Sequence, residues 1–226
     1  MEHKVIGIEG LVGSGKTSIC KELIKILPNT ILFNAGNLYR GVVLALIKEH
    51  KDLKSLKNIN ILDLIKKTNI QIKIENNETM VYLNDIKLDD EQLQNDENSL
   101  AVSEVSNIAN NKEAFLYVRK LISDLKEKYN IVFSGRALME IYPELDYHFF
   151  ITADLDERVR RKSIQYKNKI QLNVLKEHIE TRDRLQENSG FYKIYPNTIK
   201  IDVTDCMTIK DSTNKVLLKI DQETFG

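Results

Sequence analysis

The chain has 226 residues, enough to bury one sizeable core. Its 33 Lys and Arg balance 33 Asp and Glu, so no net field draws it to nucleic acid or to an anionic membrane. Cys20 and Cys206 give neither metal-ligand spacing nor a disulfide framework, and no apolar run nears the ~20 residues a spanning helix needs. The start, Met1-Glu2-His3-Lys4 before a short apolar run, is too brief for a signal peptide, so the cytoplasm is the expected location.

The first apolar run, Val5–Glu9, predicts a core strand and leads straight into Gly10-Leu11-Val12-Gly13-Ser14-Gly15-Lys16-Thr17. This is the pattern G-x-x-x-x-G-K-[ST] of a phosphate-binding loop, placed between a strand and a helix as that motif requires. Gly10, Gly13 and Gly15 let the backbone curl tightly and aim N–H groups at phosphate oxygens. Those donors and the N-terminus of the next helix, Gly15–Leu27, favour a bound anion. Lys16 is expected to reach the β- and γ-phosphates and the Thr17 hydroxyl to hold Mg2+, with Ser14 and Ser18 among the nucleotide contacts. Ile19, Leu23, Ile24 and Leu27 follow helical spacing and Pro28 ends it, so ATP or GTP binding is the expectation.

Further along, strands are predicted at Thr30–Phe33, Asn130–Ser134, Tyr147–Ile151 and Thr198–Asp202. Helices are predicted at Asn37–His50, Ile59–Lys67, Ser99–Asn110, Lys112–Tyr129, Leu155–Ser163, Gln171–Glu187 and Thr208–Asp221. Such alternation predicts an α/β fold, a parallel sheet with helices on both faces. Ligands of such sheets bind at the carboxyl ends of strands, where Gly10, Asn34, Gly135 and Asp202 fall. Ile70–Leu88 breaks the rhythm: three short strands, with Asn76-Asn77 and Asn84-Asp85 as turns, predict a small antiparallel insert. Asp89–Asn98 reads as loop or frayed helix. His148, between Tyr147 and Phe149, reads as a packed core residue.

A phosphoryl-transfer site must hold an acceptor and offset charge on the moving group, and the planar fork of arginine suits both. Arg40 lies one turn into the helix after the second strand, and Arg136 follows Gly135 at a strand end. Arg119 and Arg182 lie within helices, while Arg158, Arg160 and Arg161 cluster just after the Tyr147–Ile151 strand. Arg184 and Lys162 read as solvated helix charges. Glu9, beside Gly10, is the nearest carboxylate to the loop and would orient Mg2+ through water, or else face solvent as a strand-end charge.

Taken in order, these segments resemble the bacterial cytidylate kinases. Ile8–Thr17 is similar to I-D-G-P-x-G-S-G-K-[GS], Asn34–Arg40 to D-T-G-A-M-Y-R, and Val81–Asn84 with Glu104–Arg119 to V-x-L-N-G followed by E-V-S through V-R. Ser134–Leu138 resembles D-G-R-D-M, and Thr152–Arg161 with Thr181–Ser189 resembles A-S-x-x-x-R-A-x-R-R and R-D-x-x-D-x-x-R. The resemblance implies a P-loop kinase three-layer fold with a five-stranded parallel sheet, in one domain over 1–226. It implies an acceptor-binding region over 37–110 containing the β insert near 70–88, and a lid over 155–190. It implies ATP as phosphate donor with Mg2+, and a small-molecule phosphate acceptor bound by Tyr39, Arg40, Arg119, Arg136 and Arg182. Arg158, Arg160 and Arg161 would clamp ATP through the lid, so Lys16, Arg136, Arg158 and Arg161 are the expected catalytic cations. No nucleic-acid or membrane partner is implied, and a monomer is expected.

The chain departs from the family where the base and ribose are read: Ala35, Ala137, Gln186 and Ser189 replace Ser/Thr, Asp, Asp and Arg. Near the phosphates, Asn34 and Ser134 replace carboxylates. Cytosine selectivity is therefore the expectation most open to change, and Gln186 and Asn37 can each donate and accept toward another group.

Overall fold

The computed structural model describes residues 2–49, 65, 69–89, 93, 112–221 and 225. In chain order its elements are β1 (Val5–Gly10), α1 (Lys16–Ile26), β2 (Thr30–Asn34), α2 (Ala35–Glu49), β3 (Ile70–Glu75), β4 (Glu78–Leu83), β5 (Ile86–Lys87), α3 (Lys112–Lys126), β6 (Asn130–Ser134), α4 (Leu138–Ile141), β7 (Tyr147–Thr152), α5 (Leu155–Gln165), α6 (Leu172–Asn188), β8 (Thr198–Asp202) and α7 (Ile209–Leu217). The predicted helices Ile59–Lys67 and Ser99–Asn110 and the predicted loop Asp89–Asn98 lie outside the described residues, save Ile65, Asp89 and Leu93.

Five strands run parallel in the order β2-β6-β1-β7-β8. All six residues of β1 are buried, as a central strand covered on both faces requires. Side chains alternate across the sheet. Val5, Ile31, Phe33, Ile131 and Phe133 meet Leu38, Val42, Ala114, Val118 and Ile122 of α2 and α3 on one face. Ile6, Ile8, Leu32, Val132, Phe149 and Ile151 meet Ile19, Leu23, Val216 and Leu217 of α1 and α7 on the other. This is the three-layer α/β architecture that the alternation predicts.

The insert goes further than expected. β3 and β4 form the antiparallel hairpin, with β5 paired to β4, and β4 also lies parallel to the edge of β2 through the pair Leu32↔Glu78. Leu32 N donates to Asn77 O at 2.8 Å, and Thr79 Oγ1 donates to Leu32 O at 3.0 Å. The insert therefore lengthens the main sheet to eight strands and covers an edge that would otherwise present unpaired backbone. Among the described residues no helix is long and apolar enough to cross a membrane.

Candidate functional site

The phosphate loop stands at the carboxyl end of β1, in the centre of the sheet. Gly10 has φ 146°, and a Cβ there would lie 2.1 Å from Ile151 O, so only glycine lets β1 and β7 approach this closely. Gly15 (φ 94°) is the N-cap of α1 in the left-handed region and supplies no side-chain cap. The first N–H groups of α1 thus face the loop without a side-chain acceptor, the arrangement that takes an anion. Ser14 is fully buried and its Oγ donates to Leu11 O at 2.9 Å, so it braces the loop from inside. Thr17 and Ser18 are exposed in the first turn of α1. Lys16 Nζ donates to Gly10 O at 2.8 Å and to Leu11 O at 2.7 Å.

Around this cradle the structure gathers positive charge. Burial first, and then the charge of Arg136, holds the Lys16 ammonium well below the usual lysine range, with Arg182 adding to the effect. Arg136 Nε donates to Gln186 Oε1 at 2.6 Å, and the guanidinium lies over the Tyr192 ring at 5.5 Å. Lys162, read from the sequence as a solvated charge, lays its stem against the loop, where a Cβ on Gly13 would meet its Cγ at 3.5 Å, while its ammonium donates to Gln165 Oε1 at 2.8 Å on the exposed side. Burial, then the charges of Arg182 and Arg40, lowers its pKa. Lys16 thus feels Arg136 and Arg182, and Lys162 feels Arg182 and Arg40. No periodicity marks Lys162, because its neighbour is a loop some 150 residues earlier.

Two expected lid arginines contact the phosphate loop itself. Arg158 is 7% exposed; its Nη1 donates to Val12 O at 3.1 Å and pairs with Asp183 of α6. Asp183 also accepts from Val12 N at 3.1 Å and from the Tyr192 hydroxyl at 2.6 Å. Arg161 donates to Ser14 O at 3.1 Å, to Val203 O at 2.7 Å and to Glu157 at 2.7 Å. Both grip the back of the phosphate loop, whereas Arg160 is exposed and pairs with Glu157. Asp183 falls on the R-D of the motif matched at Thr181–Ser189, but its place at the centre of a long-range clasp, like that of Tyr192, leaves no local signal.

The remaining candidates divide. Arg40 lies beside the start of α2, where a Cβ on Gly36 would meet its Nη1 at 3.1 Å. Tyr39 packs against the core beneath α2, and burial pushes its phenol up. Arg119 of α3 pairs with Glu144. Glu9 does not face solvent. It is 1% exposed; its Oε1 accepts from Leu138 N at 3.1 Å and its Oε2 meets His148 Nε2 at 2.9 Å. Both carboxylate oxygens are taken by protein donors, an arrangement unsuited to orienting a metal. His148 is buried as expected, but as a polar partner rather than an apolar one.

At the positions where the family reads base and ribose, this chain offers few free polar groups. Ala35 and Ala137 are buried, Ser189 Oγ donates back to Leu185 O at 2.7 Å, and Gln186 is turned to Arg136. Asn34 Oδ1 accepts from Asn37 N at 3.2 Å at the start of α2. Ser134 hydrogen-bonds Cys20, whose thiol burial pushes up to about 12.

A family model described as Cytidylate kinase matches residues 6–222. The cytidylate kinase of Caldanaerobacter subterraneus is 29% identical over 227 residues, covering 98% of this chain and 96% of that protein. That of Clostridioides difficile is 30% identical over 231 residues, covering 97% and 99%. Among solved structures, an uncharacterized protein from Eubacterium ventriosum superimposes with a TM-score of 0.52 at 16% identity, over 97% of this chain and 98% of that one. The protein TT1252 from Thermus thermophilus gives 0.50 at 16% identity over the full length of both. Likenesses this distant concern the fold alone.

Proposed function

The chain belongs to the cytidylate kinase family and is a P-loop nucleoside monophosphate kinase, and we propose that it transfers the γ-phosphate of ATP to CMP or dCMP with Mg2+ as the metal. The observation that carries this reading is the glycine cradle at the carboxyl end of β1, with Lys16 on it and the charges of Arg136 and Arg182 near enough to bear on that ammonium. Burial first, and neighbouring cations second, disfavour the Lys16 ammonium, and an anionic ligand relieves both. Lys16 and Thr17 stand on the loop, while Arg40 and Arg136 stand on two other elements. The arrangement suits two phosphorylated ligands meeting end to end.

The open N-terminus of α1 and the Lys16 ammonium would receive the donor phosphates. The Thr17 hydroxyl, exposed in the first turn of α1, is the residue fitted to hold Mg2+, which supplies positive charge to the transferring group when bound. Glu9 is not assigned to the metal. Arg136, oriented by Gln186 and Tyr192, would grip the acceptor phosphate, with Arg40 and Arg182 beside it. Arg158 and Arg161 would hold the loop in shape through Val12 O and Ser14 O, beside the phosphates they are expected to clamp. A phosphate acceptor is already ionised near neutrality, so transfer depends on positioning and charge more than on a base. Asn34 and Ser134 in place of carboxylates are compatible with that chemistry. Closure of α5 and α6 over both ligands would exclude water.

A second reading, the same scaffold acting on another phosphorylated metabolite, is favoured by Ala35, Ala137 and a Ser189 hydroxyl spent on Leu185 O. One experiment separates the two. Purified protein with ATP and Mg2+ is screened for ADP release against CMP, dCMP, UMP, AMP, GMP and phosphorylated metabolites. Turnover with CMP or dCMP sustains the first reading; turnover only with a non-nucleotide replaces it with the second. ATP binding without acceptor-stimulated ADP sinks both.

A further inference from the structure

We infer that the buried Glu9–His148 pair is a positioning device for Arg136, holding from below the turn that carries it. The inference rests on the reading of Arg136 as the acceptor-phosphate residue. The register Gly7↔His148 places Glu9 diagonal to His148 on the same face of the sheet, the face that α4 covers. Both residues are 1% exposed. Glu9 Oε2 meets His148 Nε2 at 2.9 Å, His148 Nδ1 meets Thr198 Oγ1 at 2.9 Å, and Thr198 Oγ1 accepts from Tyr195 N at 2.9 Å. The other end of the chain is Glu9 Oε1, which accepts from Leu138 N at 3.1 Å.

Leu138 is the first residue of α4, and its N–H is one of the helix-end donors that need an acceptor. The residue before it, Ala137, stands at φ 54°, a left-handed conformation that a residue with a Cβ keeps only where its surroundings enforce it. Arg136 comes next. Its guanidinium is held from above by Gln186 and Tyr192, and by Gly135 O at 3.0 Å. Glu9 supplies the fixed point on the other side. A buried carboxylate is costly to keep, and here it spans β8, β7, β1 and the head of α4, tying the acceptor arginine to the floor of the phosphate loop.

The test compares Glu9→Ala with Glu9→Gln, using ATP and CMP, or whichever monophosphate the native protein turns over. Glu9→Gln keeps a carbonyl oxygen for Leu138 N–H, and its amide can donate to His148 Nε2 when the ring proton moves to Nδ1 and points at Thr198. Glu9→Ala leaves Leu138 N unheld. The expected result is an acceptor kcat/KM roughly ten- to a hundredfold lower in Glu9→Ala, carried by KM, with the ATP KM within about twofold of native and Glu9→Gln restoring most of the loss. In an Arg136→Ala background, Glu9→Ala should add no further rise in acceptor KM.

A purely structural role would lower the amount of active enzyme and leave both KM values alone. That result, an equal rise in both KM values, or a Glu9→Gln as poor as Glu9→Ala, overturns the inference. Should Glu9→Ala not fold, Thr198→Val decides: it loosens His148 from the far end without emptying the buried centre. A smaller rise in acceptor KM sustains the inference, and an unchanged one sinks it. If Arg136→Ala itself leaves acceptor KM unchanged, the proposed role of Arg136 has failed instead.

Discussion

Replacing Asp183 by alanine should destabilise the protein more than any other single change at the site's periphery. Its carboxylate serves three donors at once: the Arg158 guanidinium, Val12 N and the Tyr192 hydroxyl. Arg158 is 7% exposed, so the substitution leaves a charge inside the protein without its counterion. Removing one partner of a buried pair costs about 3–5 kcal/mol, most of it the desolvation of the charge left behind. Asp183 itself keeps 18% of its side-chain exposure, which admits some water and favours the lower half of that range, about 3–4 kcal/mol. At roughly 2–4 °C per kcal/mol for a chain of this size, Tm should fall by about 6–16 °C. Thermal melting followed by circular dichroism, with urea titration as a second probe, measures it. Adding Arg158→Met to the same protein should recover about 1–3 kcal/mol, because the unpaired charge leaves with it. A loss below about 1 kcal/mol, or a double variant less stable than the single, refutes the assignment of the cost to the stranded guanidinium.

Three further outcomes are expected. Burial and then Arg136 lower the Lys16 pKa in the free protein, and phosphate favours the charged ammonium, so ATP affinity should weaken as pH rises toward 10.5, with proton uptake on binding over that same rise; calorimetry in buffers of different ionisation enthalpy reads this, and a flat affinity up to about pH 10 argues against it. Ala137→Gly should raise stability by about 0.5–1 kcal/mol, since glycine meets no steric penalty at φ 54°, and a lower Tm would place the strain elsewhere. Gln186→Ala should raise acceptor KM roughly three- to tenfold by freeing Arg136 Nε while leaving the ATP KM alone; an unchanged acceptor KM would show that Tyr192 suffices to orient the arginine.

The phosphate loop and β1 are legible in the sequence because their signals are local. Glycines needed at positive φ, a continuous apolar run and a 3.6-residue period ended by Pro28 all lie between Val5 and Pro28. Arg40, one turn into α2, and Arg136, just past the end of β6, are candidates legible from that placement alone. What escaped was every relation across the sheet. Lys162 looks like any helix lysine until α5 is laid over Gly13. Arg158 and Arg161 read as lid clamps by resemblance, yet their partners are backbone oxygens of Val12, Ser14 and Val203. Glu9 reads as a loop carboxylate because nothing near it in sequence announces His148, 139 residues away. The insert was visible as strands, but its docking on β2 rests on one residue pair and the Thr79 hydroxyl, too little to leave a pattern.

The central place of β1 has a consequence for how the protein is made. Its six buried residues pair with β6 and β7, through Val5↔Ile131 and Ile6↔Tyr147. A ribosome adding about 5–20 residues per second therefore leaves this apolar strand unpartnered for roughly 6–30 s after it is made. During that interval β2 and the β3-β4 hairpin can already associate, since their partners lie within some fifty residues, while the nucleotide cradle cannot exist. Nucleotide can thus assist only the last stage of folding, and the nascent chain must be shielded by other means until residue 152 has emerged.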